Sequence, residues 1–485
     1  MMEQTTKKIP SPLISLIPVV VLISILYVIF RYSGSGAVVS GGPMALLIAA
    51  SISTFIGIVF YKTKWTEIEK SIEQHIMSVC SSIIMLLLIG SLSSIWMLSG
   101  VVPTMVYYGV QIINPNLFLI SCCIICAVVS IIIGSSWTTI ATMGVAFMTM
   151  GTIMGFSEGW IAGAVISGAY FGDKISPVSE TTVLASSITE TPLFTHIRFM
   201  RYTTVPSIIL ALVVFGIAGF WGIQSNFDEA NISEFTNVLS DTFVLSPLLL
   251  LVPLFTFYLI IKKVPSLIIL FLAIFSACLF AFFVQDGVIN QISENPNGES
   301  KTIFLSILSV LYSSTTIETG NQMLDNLVST RGMSGMLDTI CLVFCSMCFG
   351  GAMYATGMIC SITNYVVKFI RKGVSLVSTT VFTGLFLNTI TADQYISIIL
   401  TSNIFKEIYK KKGYESCLLS RTVEDSVTVT SVLIPWSTCG MAQAAVLGVA
   451  TISYLPYCVF NIASPFMSIL AVIVGYKIVQ IPPKK

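Results

Sequence analysis

Apolar runs of about 20 residues recur along the whole chain, and they limit its fold more than any other feature. A transmembrane helix needs about 20 such residues, whereas a membrane β-strand is seen as an alternating segment of about 10 residues. Charged residues make up 10% of the chain and hydrophobic residues 55%, whereas a soluble domain has about 25% charged residues. The sequence therefore excludes the soluble, fibrous and disordered classes and predicts an all-α, polytopic helical membrane protein.

The apolar runs form about seven hydrophobic segments on each side of a polar stretch at 224–243. We predict these segments at 12–31, 42–61, 77–100, 116–133, 135–155, 157–172 and 203–223, and at 244–261, 265–285, 335–357, 374–390, 392–405, 416–434 and 454–477. The predicted organisation is a first repeat at 1–223, an extracellular linker at 224–243 and a second repeat at 244–485.

The two halves resemble each other when the sequence is shifted by 257 positions. Gly100 then coincides with Gly357 and Tyr108 with Tyr365, while the apolar runs on both sides stay in register. Because the identity is sparse, the distribution of basic residues is the stronger test of the repeat.

Lysine and arginine mark the cytoplasmic side of a membrane protein, and the loops that carry them differ between the halves. The loop at 101–114 has none, whereas its counterpart has three at 368–372. The loop at 198–201 has two, whereas its counterpart at 440–452 has none. We therefore predict two inverted repeats with both termini cytoplasmic, an arrangement typical of secondary transporters, in the cell (plasma) membrane.

Ionisable side chains within the bilayer cost about 2.5–3.5 kcal/mol each, so every one is a candidate functional residue. The first group surrounds Pro177, which interrupts a helix, and follows Gly172, which loosens the preceding turn. Carboxylates, hydroxyls and unwound carbonyls together suit Na⁺. The candidates are Asp173, Lys174, Ser176, Ser179, Glu180, Thr181 and Thr182. The alternative is a solvated cytoplasmic loop.

A second group occupies the equivalent place in the other half, with the candidates Arg421, Glu424, Asp425, Ser426 and Thr428. Arg421 precedes Glu424 and Asp425 by three and four residues, which places all three on one helix face. One arginine does not neutralise two adjacent carboxylates, so this group is a predicted ion or proton site. A structural ion pair made by Arg421 is the alternative.

Two further stretches correspond under the repeat, and their candidates are Ser136, Thr138, Asn388, Thr391 and Asp393. Hydroxyl side chains also mediate close packing between membrane helices, which is the alternative for the serine and threonine residues. A carboxylate such as Asp393 is harder to explain by packing alone.

These stretches resemble the NhaC family of sodium/proton antiporters, within the wider ion-transporter superfamily. The similar segments are 134–137, 168–182, 391–394 and 420–426 with Pro435 and Trp436, and the resemblance extends over residues 75–475. It implies antiport of Na⁺ against H⁺, with a scaffold domain, a mobile transport domain, and broken helices or hairpins that meet at mid-membrane. We expect Na⁺ at Asp173, Glu180 and Asp425, where protons compete for the same carboxylates.

The leading hypothesis is a Na⁺/H⁺ antiporter that works by alternating access. The alternative is a Na⁺- or H⁺-coupled transporter of an organic acid (malate or lactate) or an amino acid, in which Lys174 and Arg421 bind the substrate carboxylate. No HExxH, GxSxG or histidine cluster occurs in the sequence, so no enzymatic activity is predicted. We expect no cofactor besides the ions Na⁺ and H⁺. The expected surroundings are the lipid bilayer, no nucleic-acid partner is expected, and a homodimer remains an open alternative to a monomer.

Overall fold

The computed structural model describes residues 10–33, 37–221, 229–293, 302–317, 325, 328–368, 370 and 373–475. Helices joined by short turns account for nearly all of these residues, which confirms the all-α prediction. Within the described ranges, β-type pairing is limited to one isolated bridge between Thr315 and Thr330.

The first half contains ten helices in its described part. They are α1 (Pro12–Ser33), α2 (Ala37–Tyr61), α3 (Trp65–Leu98), α4 (Val101–Ile112), α5 (Phe118–Ile133), α6 (Ser136–Thr139), α7 (Val145–Ile153), α8 (Glu158–Ile175), α9 (Glu180–Ile188) and α10 (Leu193–Phe220). A π-helical turn, Ile140–Gly144, joins α6 to α7, so that these two helices form one arm.

The remaining helices begin inside the predicted linker, where the buried side chains of Phe235 and Leu239 attach α11 to the protein. They are α11 (Glu229–Thr242), α12 (Leu251–Ile261), α13 (Ser266–Val284), α14 (Asp286–Ser293), α15 (Ile303–Tyr312), α16 (Leu337–Ala355), α17 (Met358–Val367), α18 (Val374–Thr391), α19 (Gln394–Lys411), α20 (Ser416–Val423), α21 (Thr438–Leu447), α22 (Thr451–Tyr454) and α23 (Val459–Ile473). A second π-helical turn, Glu424–Thr428, follows α20.

Eight helices in the described part are long and apolar enough to cross a bilayer, and two helix pairs bent by 89° and 87° raise that number to ten. The other predicted hydrophobic segments form shorter helices, because glycine, proline and capping residues interrupt them. The protein is therefore a multi-pass membrane protein in which part of the apolar sequence forms broken helices.

Two helical hairpins occupy equivalent places in the two halves. Hairpin A consists of α5, α6 and α7, and the rings of Phe118 and Phe147 from its two arms lie 6.4 Å apart. Hairpin B consists of α18 and α19, and the hydroxyls of Thr380 and Tyr409 from its two arms lie 3.1 Å apart. Each hairpin folds back on itself, and the residues at its tip are buried within the protein.

The tips of the two hairpins share one turn geometry. Gly134 and Ala392 both adopt left-handed conformations, with φ of 71° and 54°. The next residues, Ser135 and Asp393, cap the second arm by accepting a hydrogen bond from the N–H three residues further on, at 3.3 and 3.0 Å. These positions are 258 residues apart in both cases, close to the shift that aligns the two halves of the sequence.

Two helix breaks also correspond at a spacing of 258 residues. Pro177 separates α8 from α9, and Pro435 precedes α21. Two residues after each proline, Ser179 and Ser437 accept hydrogen bonds from the N–H groups of the following helices, at 3.5 and 3.0 Å. The breaks predicted near 173–178 and near 425–436 or 388–394 are confirmed.

The helices pack into a continuous assembly. Helices α1 and α16 pack against α2, and α13 and α16 pack against α3. Helix α5 packs along α8, α10 packs along α23, and α19 packs against α9. One apolar core joins α3 and α13 to α5, α8 and α10, and α21, after the break at Pro435, contacts α3, α16 and the second arm of hairpin A. The hairpins and breaks of the two halves are therefore connected by direct packing.

Candidate functional site

Asp173 lies in the last turn of α8, directly before the break at Pro177. Its Oδ2 accepts two hydrogen bonds from Ser136 at the tip of hairpin A, one from the backbone N–H at 3.1 Å and one from the hydroxyl at 2.7 Å. The hydroxyl of Ser179 lies beside the same carboxylate. The side chain is 7% exposed, so the tip of hairpin A holds a nearly buried carboxylate in a fixed position.

A cavity of about 530 Å³ opens in front of Asp173. Its walls come from five parts of the chain: Ser78, Ser81 and Ser82 of α3, Gly134, Ser135 and Trp137 at the tip of hairpin A, Asp173 with Ser179, Glu180 and Thr181 around the helix break, Gln394 and Tyr395 of hairpin B, and Lys263 with Pro265 between α12 and α13. Lys263 is exposed to solvent. The cavity therefore extends from the buried carboxylate to an exposed loop of the protein.

Glu180 is the second carboxylate on this cavity and the first residue of α9. Its Oε2 accepts a hydrogen bond from the hydroxyl of Tyr395 at 2.9 Å. The neighbouring residue Gln394 places its Oε1 3.4 Å from the hydroxyl of Ser431. Hairpin B therefore also contacts the site, in addition to hairpin A.

Lys174 follows Asp173 in the sequence but faces away from the cavity. Its ammonium forms an ion pair with Oδ1 of Asp425, and both side chains are completely buried. It also donates a hydrogen bond to Ser464 at 2.9 Å, and Thr203 donates to Asp425 at 3.1 Å. The pair is thus compensated by charge and by hydroxyl groups from two further helices, α10 and α23, which is the condition for a stable buried ion pair.

Arg421 lies on the other side of Asp425, with its Nε 3.9 Å from Oδ2. The guanidinium carbon lies 4.9 Å from the centre of the Phe199 ring, which provides a cation–π contact in place of water. His196 belongs to the same buried region, where its Nδ1 lies 2.8 Å from the hydroxyl of Ser420. These residues surround the ion pair and do not line the cavity.

Glu424 is also completely buried, and neither of its carboxylate oxygens has a hydrogen-bond partner among the described residues. It begins the π-helical turn in which Thr428 lies one turn further on. Two amides support the irregular backbone here: Asn388 donates to the carbonyl of Val427 at 2.9 Å, and Asn461 donates to that of Val429 at 2.8 Å. The predicted common face of Arg421, Glu424 and Asp425 is therefore only partly formed, because the Glu424 side chain makes no ion pair with Arg421 in this turn.

The predicted residues separate into a cavity group and a buried group. The cavity group contains Asp173, Ser179, Glu180 and Thr181, which line the cavity, and Ser136, which donates to Asp173. The buried group contains Lys174, Arg421, Glu424 and Asp425. No cluster of three His, Cys, Asp or Glu side chains suited to one metal ion occurs in the described part of the chain. Asp425 thus does not join Asp173 and Glu180 around one Na⁺, because its carboxylate is paired with Lys174.

Other predicted residues make local hydrogen bonds that shape the turns. The partners are the carbonyl of Ile131 for Ser176, that of Lys174 for Thr182, that of Thr422 for Ser426, the hydroxyl of Ser135 for Thr138, the hydroxyl of Ser397 for Thr391, and the hydroxyl of Thr438 for Asp393. These contacts position the backbone around the two groups.

Several cavity residues were not among the predicted ones: the α3 serines, Trp137, Lys263, Gln394 and Tyr395. Gln394 could have been found from the repeat, because it lies 258 positions after Ser136. The serines of α3 carry no comparable signal, since isolated hydroxyls are common on membrane helices.

Comparison of the sequence with known proteins identifies one matching family and several similar transporters. A family model described as the Na⁺/H⁺ antiporter family matches residues 4–184 and 168–476. The chain is 34% identical over 427 residues to the Na(+)/H(+) antiporter NhaC of Alkalihalophilus pseudofirmus, covering 88% of each protein. It is 35% identical over 407 residues to NhaC of Bacillus subtilis, covering 84% of this chain and 86% of that protein. The malate-2H(+)/Na(+)-lactate antiporter of Bacillus subtilis is 30% identical over 436 residues, covering 89% and 88% respectively.

Proposed function

The chain belongs to the Na⁺/H⁺ antiporter family, and we propose that it is a secondary active transporter that exchanges Na⁺ for H⁺ by alternating access. The observation that carries this proposal is Asp173, a nearly buried carboxylate held by Ser136 at a helix break and facing a water-accessible cavity. Hydroxyls and a second carboxylate, Glu180, complete an oxygen-rich wall of the kind that binds Na⁺.

Exchange follows from competition at this carboxylate. Na⁺ binds the ionised form of Asp173, whereas a bound proton removes the charge that attracts the ion. A carboxylate that faces a cavity can change protonation state through water, whereas one enclosed in apolar packing cannot. A single group that holds either cation in turn couples the two fluxes in opposite directions.

The Lys174–Asp425 pair has a different role in this proposal. Its charges neutralise each other within the packed helices, so neither side chain is available to an ion in the cavity. The pair fixes the end of α8 to the π-helical turn and to α23, so the pair holds Asp173 at the helix break. The carboxylates of the cavity then carry the cation exchange.

We further propose that the cavity faces the cytoplasm. It reaches the exposed loop of Lys263, and the positive-inside rule places basic loops on that side. The same rule places both termini in the cytoplasm, although the terminal lysines lie outside the described residues. The two hairpin tips and the α3 wall would separate Asp173 from the opposite face in this state.

The organic-acid alternative depended on Lys174 and Arg421 as substrate-binding cations. Both side chains are completely buried and lie outside the cavity. Their charges face the carboxylate of Asp425. The charged side chains that line the cavity are Asp173, Glu180 and Lys263, and the one that is buried, Asp173, is acidic. This distribution favours a cation as the transported species.

The direct test is ion exchange by purified protein in proteoliposomes. An outward or inward Na⁺ gradient should drive proton movement in the opposite direction, measured with a pH-sensitive dye inside the vesicles. The apparent KM for Na⁺ should rise as the pH falls on the binding side, because protons and Na⁺ compete for Asp173. Proton movement driven by malate or lactate, and not by Na⁺, would instead support the alternative.

A further inference from the structure

Gln394 reaches the cavity from the tip of hairpin B. It is the first residue of α19, directly after the left-handed Ala392 and the capping residue Asp393. Its side chain is 5% exposed and lines the same cavity as Asp173. Asp393 does not line the cavity, because its carboxylate caps α19 and accepts a hydrogen bond from Thr438.

The repeat relates the surroundings of Gln394 to those of Asp173. Ser136 and Gln394 are 258 residues apart, and so are Asp173 and Ser431. Ser136 donates to Asp173 at 2.7 Å, and Ser431 lies 3.4 Å from Oε1 of Gln394. Both halves thus place a hydroxyl against an oxygen acceptor, but the acceptor is on α8 in the first half and on the hairpin in the second.

The amide oxygen of Gln394 is only weakly engaged in this arrangement. The hydroxyl of Ser431 has a single proton, and it also lies 2.8 Å from the carbonyl of Thr428. The shorter of its two contacts is therefore the one to the carbonyl. The Oε1 atom of Gln394 retains lone pairs that a cation in the cavity can use.

From this geometry we infer that Gln394 binds the transported cation together with Asp173 and that its amide oxygen contributes to ion selectivity. This inference rests on the proposed Na⁺/H⁺ exchange. Neutral amide carbonyls bind hard cations without adding charge, so Gln394 supplies a ligand without competing for the proton. Its neighbour Tyr395 donates a hydrogen bond to Glu180 at 2.9 Å, so hairpin B contributes two neighbouring polar side chains to the site.

The test compares Gln394→Ala and Gln394→Glu with the wild type in proteoliposomes, using Na⁺, Li⁺ and K⁺ as the ions. Loss of one oxygen ligand should raise the KM for Na⁺ about tenfold and change the ratio of the KM values for Na⁺ and Li⁺. Gln394→Glu should lower the KM for Na⁺, because it adds a negative charge at the same place. The midpoint of thermal unfolding should stay close to that of the wild type in both variants.

Gln443→Ala is the matched control, since Gln443 is also a buried glutamine but lies on α21 outside the cavity. A wild-type KM and ion ratio in Gln394→Ala would overturn the inference. An equal rise of KM in both alanine variants would also overturn it, because loss of any buried amide would then be sufficient. Absence of Na⁺ exchange by the wild-type protein would contradict the proposed function itself. That result is distinguishable from failure of the inference, in which the wild type is active and Gln394→Ala has the same KM for Na⁺.

Discussion

Asp173 and Lys174 are consecutive residues of α8 whose side chains enter two separate environments. Asp173 faces the cavity and is held by Ser136, whereas Lys174 is enclosed and paired with Asp425. Adjacent positions on a helix point about 100° apart, since 3.6 residues make one turn. One turn of α8 therefore connects a carboxylate accessible to ions with an ion pair that fixes the helix in place.

Replacing Asp173 with asparagine should abolish Na⁺-dependent proton movement. Asparagine keeps the shape and one oxygen but cannot exchange a proton, and it leaves no unpaired charge in the buried site. The variant should therefore insert and unfold like the wild type while its flux falls to the level of empty vesicles. Flux is measured with a pH-sensitive dye, and Glu158→Gln, at the exposed start of the same helix, serves as the control. Wild-type exchange by Asp173→Asn would contradict the site assignment.

Breaking the Lys174–Asp425 pair should destabilise the protein strongly. Removing one partner of a buried ion pair typically costs about 3–5 kcal/mol, because the other charge stays uncompensated. Asp425→Asn should cost more than Lys174→Met, since Asp425 also lies 3.9 Å from Arg421. Thermal unfolding in detergent should show that the double variant is more stable than Asp425→Asn alone. Simple addition of the two losses would show that the two side chains are not coupled.

The sequence was sufficient to predict the helical class and the positions of the breaks. Proline at 177 and 435 and glycine at 134 interrupt helices for local reasons that are visible in the sequence. Ala392 was less predictable, because left-handed conformations are uncommon for residues other than glycine. Its equivalence to Gly134 becomes clear only from the constant spacing of 258 residues.

The grouping of the charges could not be predicted in the same way. Whether Lys174 faces Asp425 or a substrate depends on which face of α8 packs against α10, α23 and the π-helical turn. That choice is set by long-range contacts between residues more than 200 positions apart. Regular helical spacing predicted Arg421 beside both carboxylates, whereas Arg421 lies 3.9 Å from Asp425 and forms no ion pair with Glu424, the first residue of the π-helical turn.

Substitution of Gly134 at the tip of hairpin A tests the cost of a steric clash separately from the cost of a left-handed backbone conformation. Its φ is +71°, and a Cβ atom there would lie 2.6 Å from Cγ2 of Val178 and 2.9 Å from the backbone N of Ser179. Gly448 has the same φ of +71°, but a Cβ atom there meets nothing within 4 Å. Gly448→Ala should cost about 1–2 kcal/mol from the left-handed conformation alone. Gly134→Ala should cost more and should also reduce Na⁺ exchange, because it pushes the tip away from the helix break beside Asp173. Equal losses of stability and unaltered exchange would show that this contact is not needed at the site.

The proposed orientation in the membrane can be tested with two single cysteines. Gly287→Cys lies at an exposed position where a Cβ atom meets nothing within 4 Å, and Lys412→Cys lies at the exposed base of hairpin B. The exposed native cysteines Cys80, Cys341 and Cys360 must first be replaced by serine to remove background labelling. A membrane-impermeant maleimide should label position 287 in intact cells and position 412 only after permeabilisation, because the basic end of hairpin B belongs in the cytoplasm. The reverse pattern would place the cavity and Asp173 on the outside and would contradict the proposed direction of access.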